Sequence, residues 1–135
     1  MIQQFESAWW SIELPTGWVG GREDTCASFW SENGVGALQI SAYYRDAVAV
    51  TDSELYDFAK DELIEGATPQ DSNCGEFNGI TVSFFNGQKF WRKWWLRSDS
   101  LLLYVTYSCD VTDRTVESET VNRILTTLKM TLCAA

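Results

Sequence analysis

The stretch "ITVSFFNGQKFWRKWWLRSDSLLLYVTYSC", residues 80–109, constrains the fold more than any other part of the chain. It contains three runs rich in aromatic and β-branched residues, 80–85, 89–97 and 101–109, joined by Asn86-Gly87 and by Ser98-Asp99-Ser100. Asn-Gly between such runs supplies the positive backbone angles of a tight hairpin turn, so the spacing predicts an antiparallel meander. Along the middle strand, side chains alternate between faces. Phe90, Arg92, Trp94 and Leu96 share one face, and Trp91, Lys93, Trp95 and Arg97 share the other. The first set is the more apolar and is expected to meet the core.

The same two periods organise the rest of the chain. A first strand is expected over 9–14, ended by "PTGWVGG", whose proline and glycines read as a turn or irregular loop. Strands over 25–31 and 35–45 flank "SENG", with Asn33-Gly34 as a hairpin turn, and Leu38, Ile40 and Ala42 alternate with Gln39, Ser41 and Tyr43. In "TDSELYDFAKDELIEG" the period becomes helical: Leu55, Phe58, Ala59, Glu62 and Leu63 recur on one stripe. Thr51 and Glu54 have capping-box spacing, and Gly66 suits a helix end. Residues 67–79 read as the longest loop. A second helix is expected over 115–130, with Val121, Ile124, Leu125 and Leu128 on one face, Glu117 and Glu119 early and Lys129 late.

The order is three strands, helix, three strands, helix. It predicts an α+β fold, a central, mostly antiparallel sheet of about six strands flanked by two helices in an α/β/α-like sandwich. At 135 residues, with no repeat and no Pro/Ser linker, the chain fits a single domain over 1–135.

Charge and missing residue types narrow the chemistry. Ten Lys plus Arg against 19 Asp plus Glu give a net charge of −9, a field that repels nucleic acid and anionic membrane and attracts a basic partner. There is no histidine, so Ser-His-Asp and Cys-His catalysis are excluded. Cys26, Cys74, Cys109 and Cys133 stand far apart without a CxxC pair, which speaks for free thiols in a reducing compartment rather than a metal site. Glu23-Asp24, Asp61-Glu62, Asp110 and Asp113 fall in loops or on a polar helix face, where solvated charge is the plain reading. "GWVGGRED" lacks the Lys-Ser/Thr ending of a phosphate loop, and neither "CDVTDRT" nor "GREDT" has calcium-loop spacing. No cofactor or metal is implied, and an enzyme is the least favoured class. The start of the chain shows no basic segment followed by an apolar run, and no stretch approaches the roughly 18 apolar residues of a membrane span, so a cytoplasmic setting is expected.

The face with Trp91, Lys93, Trp95 and Arg97 suits three fates. It can stack bases, form a partner-binding hot spot, or pack under a helix with the Lys and Arg stems covering the Trp rings. The acidic balance argues against nucleic acid. In the packing case Lys93 and Arg97 meet acidic residues of "DFAKDELIE"; in the binding case the face joins Cys74, Glu76 and Asn78 of the 67–79 loop as the contact surface.

"IELPTGW", the middle helix, the glycine-containing loop before "FWRKWWLRSDSLLLYVTYSC" and the final "VNRILTTLKM" together resemble small bacterial proteins of the PsbP-like (Mog/PsbP) fold. That superfamily also includes a eukaryotic Ran-binding protein and type VI secretion effector chaperones. The resemblance implies a central antiparallel sheet covered by helices and a non-enzymatic adaptor, chaperone or immunity-type role. It carries over no functional residue set. Its photosystem members have a leader peptide and bind manganese-cluster proteins in the lumen, and the lack of such a leader here argues against that role. The expected partner is another protein, basic or amphipathic, and neither nucleic acid nor membrane; the oligomeric state stays open, a homodimer included. The alternative is a small molecule in an aromatic-lined pocket between sheet and helix.

Overall fold

The computed structural model describes residues 2–24 and 26–131. Its strands are β1 (Gln3–Glu6), β2 (Trp10–Leu14), β3 (Trp18–Arg22), β4 (Ala27–Ser31), β5 (Gly36–Tyr44), β6 (Gln70–Cys74), β7 (Phe77–Asn86), β8 (Lys89–Ser98), β9 (Leu101–Asp110) and β10 (Lys129–Met130). The helices are α1 (Asp52–Phe58), α2 (Lys60–Ile64) and α3 (Ser118–Thr126), with a 3-10 turn at Val111–Asp113. Seven strands form one antiparallel sheet in the order β3-β4-β5-β9-β8-β7-β6, and β1-β2-β10 form a second. The fold is α+β; among the described residues the central sheet has seven strands where about six were expected, a second sheet adds three, and there are three helices where two were expected.

The predicted meander is β7-β8-β9, with Phe90 opposite both Phe85 and Cys109. Its first turn falls one residue later than Asn-Gly suggests: Asn86 pairs with Lys89, and Gly87, at φ +64°, opens the two-residue loop.

Period-2 alternation divides the large sheet into two packed faces. On the first, Phe29, Leu38, Ile40, Trp94, Leu96, Leu103, Val105 and Tyr107 meet Trp10, Ile12 and Leu14 of β2 and Val121, Ile124 and Leu125 of α3. Glu117, the N-cap residue of α3, is buried here and accepts the Tyr107 hydroxyl proton at 2.7 Å. Burial, and then that bond to a carboxylate, pushes the Tyr107 phenol far up. On the second face Ile80, Val82, Trp95 and Leu102 meet Val50, Leu55 and Ala59 from the α1–α2 layer.

Several expectations need correction. The supposed 67–79 loop contains β6, which closes on β7 through Gly75-Glu76; its sequence, QDSNC, is polar because it forms the sheet edge. Gly75 has φ +63° and a Cβ there would lie 2.1 Å from the Leu128 carbonyl oxygen, so only glycine fits. "PTGWVGG" turns only at its start and continues as β3; a Cβ on Gly20 would lie 2.5 Å from the Phe29 ring, so that glycine permits close packing rather than a turn. The first helix is two short ones that meet at fully buried Ala59. The second spans Ser118–Thr126 rather than 115–130, because Lys129 and Met130 pair with Ser11 and Trp10 as a strand. Thr25 and Cys133 lie outside the described residues. Among the described residues, no helix is long and apolar enough to cross a membrane.

Candidate partner-binding face

Thr51 places the layer that builds the site. Its hydroxyl oxygen accepts from the Glu54 backbone N–H, while Glu54 accepts from the Thr51 N–H, the predicted capping box. Arg45 grips the Glu54 carboxylate with two nitrogens, each 2.5 Å from an oxygen. That hydrogen bonding, together with the Thr51 contacts, holds the Glu54 carboxyl at about 2. The layer lies over β7, β8 and Leu102 of β9, while Tyr43 of β5 stays exposed.

The seven residues singled out in the sequence do not form one patch. Trp95 is only 4% exposed, beneath the α1–α2 layer, with its ring 5.6 Å from that of Tyr104. Lys93 donates to Glu62 at 2.7 Å, and its ammonium lies 5.4 to 5.9 Å from the ring centroids of Phe84, Trp91 and Tyr104. Burial works against the charged Lys93, but its bonds to Glu62 and Tyr104 more than offset that, and its pKa is raised. Arg97 donates to the Val50 carbonyl at 3.0 Å and pairs with Asp52, the first residue of α1, rather than with an acid of "DFAKDELIE". Trp91 is half-buried, with the Lys93 ammonium 5.8 Å from its ring centroid.

The other three disperse. Cys74 is buried in the first core, and burial pushes its thiol up, away from reactivity. Glu76 accepts the Met130 backbone N–H at 2.8 Å and so fastens β10 to the hairpin. Asn78 is exposed opposite Arg97. Trp95 and Cys74 are thus both buried, each only 4% exposed. Among the described residues, no group of three or more Cys, Asp or Glu side chains could hold a metal ion.

What the structure adds is a groove of about 500 Å3 along the open flank of the helical layer, lined by Tyr43, Phe58, Asp61, Glu62, Trp95, Leu102 and Tyr104. Tyr43 is 57% exposed and Phe58 47%. Tyr43 was signalled by its alternation with Leu38, Ile40 and Ala42. Phe58 was hidden, because its helical spacing placed it in the apolar stripe. Adjoining it on the β7 side, a second groove of about 490 Å3 shares Asp61 and Glu62 with the first and is further lined by Glu65, Ala67, Phe84, Phe85, Asn86 and Lys93. Between the flanks, the space under the helices is filled by Leu55, Ala59, Ile80, Val82, Trp95 and Leu102. This arrangement offers aromatic area beside negative charge, with the Glu62–Lys93 pair on the wall of the second groove.

No protein-family model and no curated protein sequence matches the chain. Solved structures do match. A protein of Bacteroides thetaiotaomicron superposes with a TM-score of 0.68 at 17% identity, over 95% of this chain and 48% of that one, so the present chain spans about half its length. Cyanobacterial PsbP (CyanoP) from Synechocystis gives 0.65 at 10% identity, over 96% and 92% of the two chains. LpqN, involved in cell envelope biogenesis of Mycobacterium tuberculosis, gives 0.62 at 13% identity, over 90% and 83%. At such identities the likeness concerns the fold and leaves function to the site. The fold of this chain is PsbP-like, as "IELPTGW" and the aromatic meander led one to expect.

Proposed function

We propose that the protein is a non-catalytic binding module that takes up a basic, amphipathic segment of another protein on the open flank of its α1–α2 layer. One observation carries the reading: exposed Tyr43 and Phe58 stand with Tyr104 beside Asp61 and Glu62 in a single groove. Exposed aromatics of this size, gathered in a concave surface, are the usual anchors of an interface, and acidic walls in a chain of net charge −9 favour a cationic partner. An adaptor, chaperone or immunity-type role fits this chemistry, and the fold neighbours are consistent with a non-catalytic module. The free thiols of Cys26, Cys74 and Cys109 suit a reducing, cytoplasmic setting.

The test is affinity capture from the native host with mass spectrometry, using wild type and a Tyr43→Ala/Phe58→Ala double variant. Both side chains are about half exposed, so the variant should unfold within about 1 kcal/mol of wild type. It should lose the captured partner, whose retention should also fall as salt is raised. Retention of the same partner at the same salt dependence would defeat the reading. The size and lining of the groove also suit a small apolar ligand. A ligand-dependent rise in melting temperature, lost in the double variant and indifferent to salt, would favour that alternative.

A further inference from the structure

The outer edge of the large sheet is only partly covered. Strand β6 pairs with β7 from Cys74↔Phe77 as far as Gln70↔Thr81, and past Thr81 residues 82–86 have β8 on one side and, among the described residues, no strand on the other. Hairpin geometry says which backbone groups face outward. Both hairpins close on two-residue loops, with Cys74 opposite Phe77 and Asn86 opposite Lys89. Residues flanking such a loop exchange both backbone hydrogen bonds. Phe77 therefore points its N–H and C=O toward β6, and Asn86 points its own toward β8. With a continuous register and a period of two, Ser83 and Phe85 direct their backbone groups to the open edge. Neither finds a backbone partner there among the described residues.

Edges of this kind are normally blunted by charge, proline or cover. At the opposite edge a charged residue, Arg22 of β3, reaches across to donate to the Glu6 carbonyl of β1. The 82–86 edge reads Val-Ser-Phe-Phe-Asn, without charge or proline, and Phe85 is 59% exposed. A polar cleft of about 300 Å3, lined by Gly66, Ala67, Thr68, Gln70, Thr81 and Ser83, borders it on one side. On the other is the groove walled by Asp61, Glu62 and Glu65. Glu62 is engaged by Lys93, whereas Asp61 and Glu65 form no ion pair among the described residues.

We propose that residues 83–85 of β7 accept an added β-strand from an extended, lysine- or arginine-bearing segment of another protein. Its backbone completes the Ser83 and Phe85 hydrogen bonds, and alternate side chains enter the acidic groove. A second copy of this chain is a poor occupant, since two-fold pairing along this edge would bring the Asp61, Glu62 and Glu65 walls of both copies together. The site shares Asp61 and Glu62 with the groove at Tyr43 and Phe58, but its backbone edge and Glu65 do not belong to that groove.

The probe is a synthetic peptide of about eight residues alternating lysine and valine, long enough for one strand, titrated by calorimetry and followed by amide hydrogen exchange. Binding should protect the Ser83 and Phe85 amides. Ser83→Pro should weaken it about tenfold or more, the scale of losing a backbone bond at an ordered edge, while leaving the β7–β8 ladder intact, because the lost N–H faces outward. Glu65→Lys should also weaken binding, and Tyr43→Ala/Phe58→Ala should leave it unchanged. No binding, or binding without protection of those two amides, overturns the proposal. So does a concentration-dependent dimer that protects them without peptide. If Ser83→Pro fails to fold, exchange on the wild type together with the Glu65→Lys titration decides.

Discussion

The two faces of β8 come from one run of residues and are fastened in different ways. On one face Phe90, Trp94 and Leu96 sit in a continuous apolar core closed by a strand and a helix, and the one cation, Arg92, makes no ion pair among the described residues. Arg92 lies over the Trp94 ring at 4.5 Å and bonds Thr81 and Asn122; burial lowers its pKa. On the other face the apolar contacts are fewer, and the helices are tied down by Lys93–Glu62, Arg97–Asp52 and Arg45–Glu54. The first layer is held by a large area removed from water, the second by a smaller apolar centre with polar anchors at its rim. A layer held that way leaves open flanks, and both grooves lie along them.

The largest expected effect tests this division directly. Trp94→Ala opens a cavity in the larger core and should cost about 4 kcal/mol, within the usual range for a buried tryptophan. Trp95→Ala, beneath thin helices able to collapse onto the gap, should cost less, about 2 to 3 kcal/mol. Urea unfolding of both measures the difference; equal losses would mean the two layers are equally cohesive.

Next in size is the Lys93–Glu62 pair, whose side chains are 18% and 16% exposed. Lys93→Met leaves Glu62 without its cation and should cost about 1 to 2 kcal/mol, between exposed and fully buried pairs. Replacing both, Lys93→Met with Glu62→Leu, should cost less than the sum of the single changes. Additive losses in the cycle would remove this pair from the polar anchors.

How much of this was legible follows the same division. The meander, its faces, the capping box and the α3 stripe were readable because each is encoded by residues near in sequence. Lys93 meeting an acid of the preceding helical layer was expected in the packing case. Strands β1, β3, β6 and β10 were not. Gly20 looks like a turn signal until Phe29 is seen to need its space. QDSNC has weak strand propensity and becomes a strand because β7 offers it a partner. Lys129-Met130 continues a helical period that pairing with β2 overrides. The candidate groove was half visible: alternation pointed Tyr43 outward, but no local signal says that a helix stops short of covering it.

The smallest effect lies at the start of α1 and separates the layers by pH. Thr51→Ala should cost about 1 kcal/mol, as loss of a cap does, and should raise amide exchange in α1 more than in β8. Glu54 adds an acid limb. Its native pKa of about 2 lies below the ordinary 4.5, chiefly through the Arg45 hydrogen bonds. A depressed carboxyl contributes stability that is fully present above the unfolded value and is lost as pH falls through the folded one, so the window runs from about 4.5 down to about 2. Within it, exchange in α1 should accelerate before exchange in β8, and Glu54→Gln should flatten the acid response of α1 while leaving β8 unchanged. If α1 and β8 lose protection together as the pH falls, the helical layer is not a separately fastened unit, and the two faces of β8 open as one.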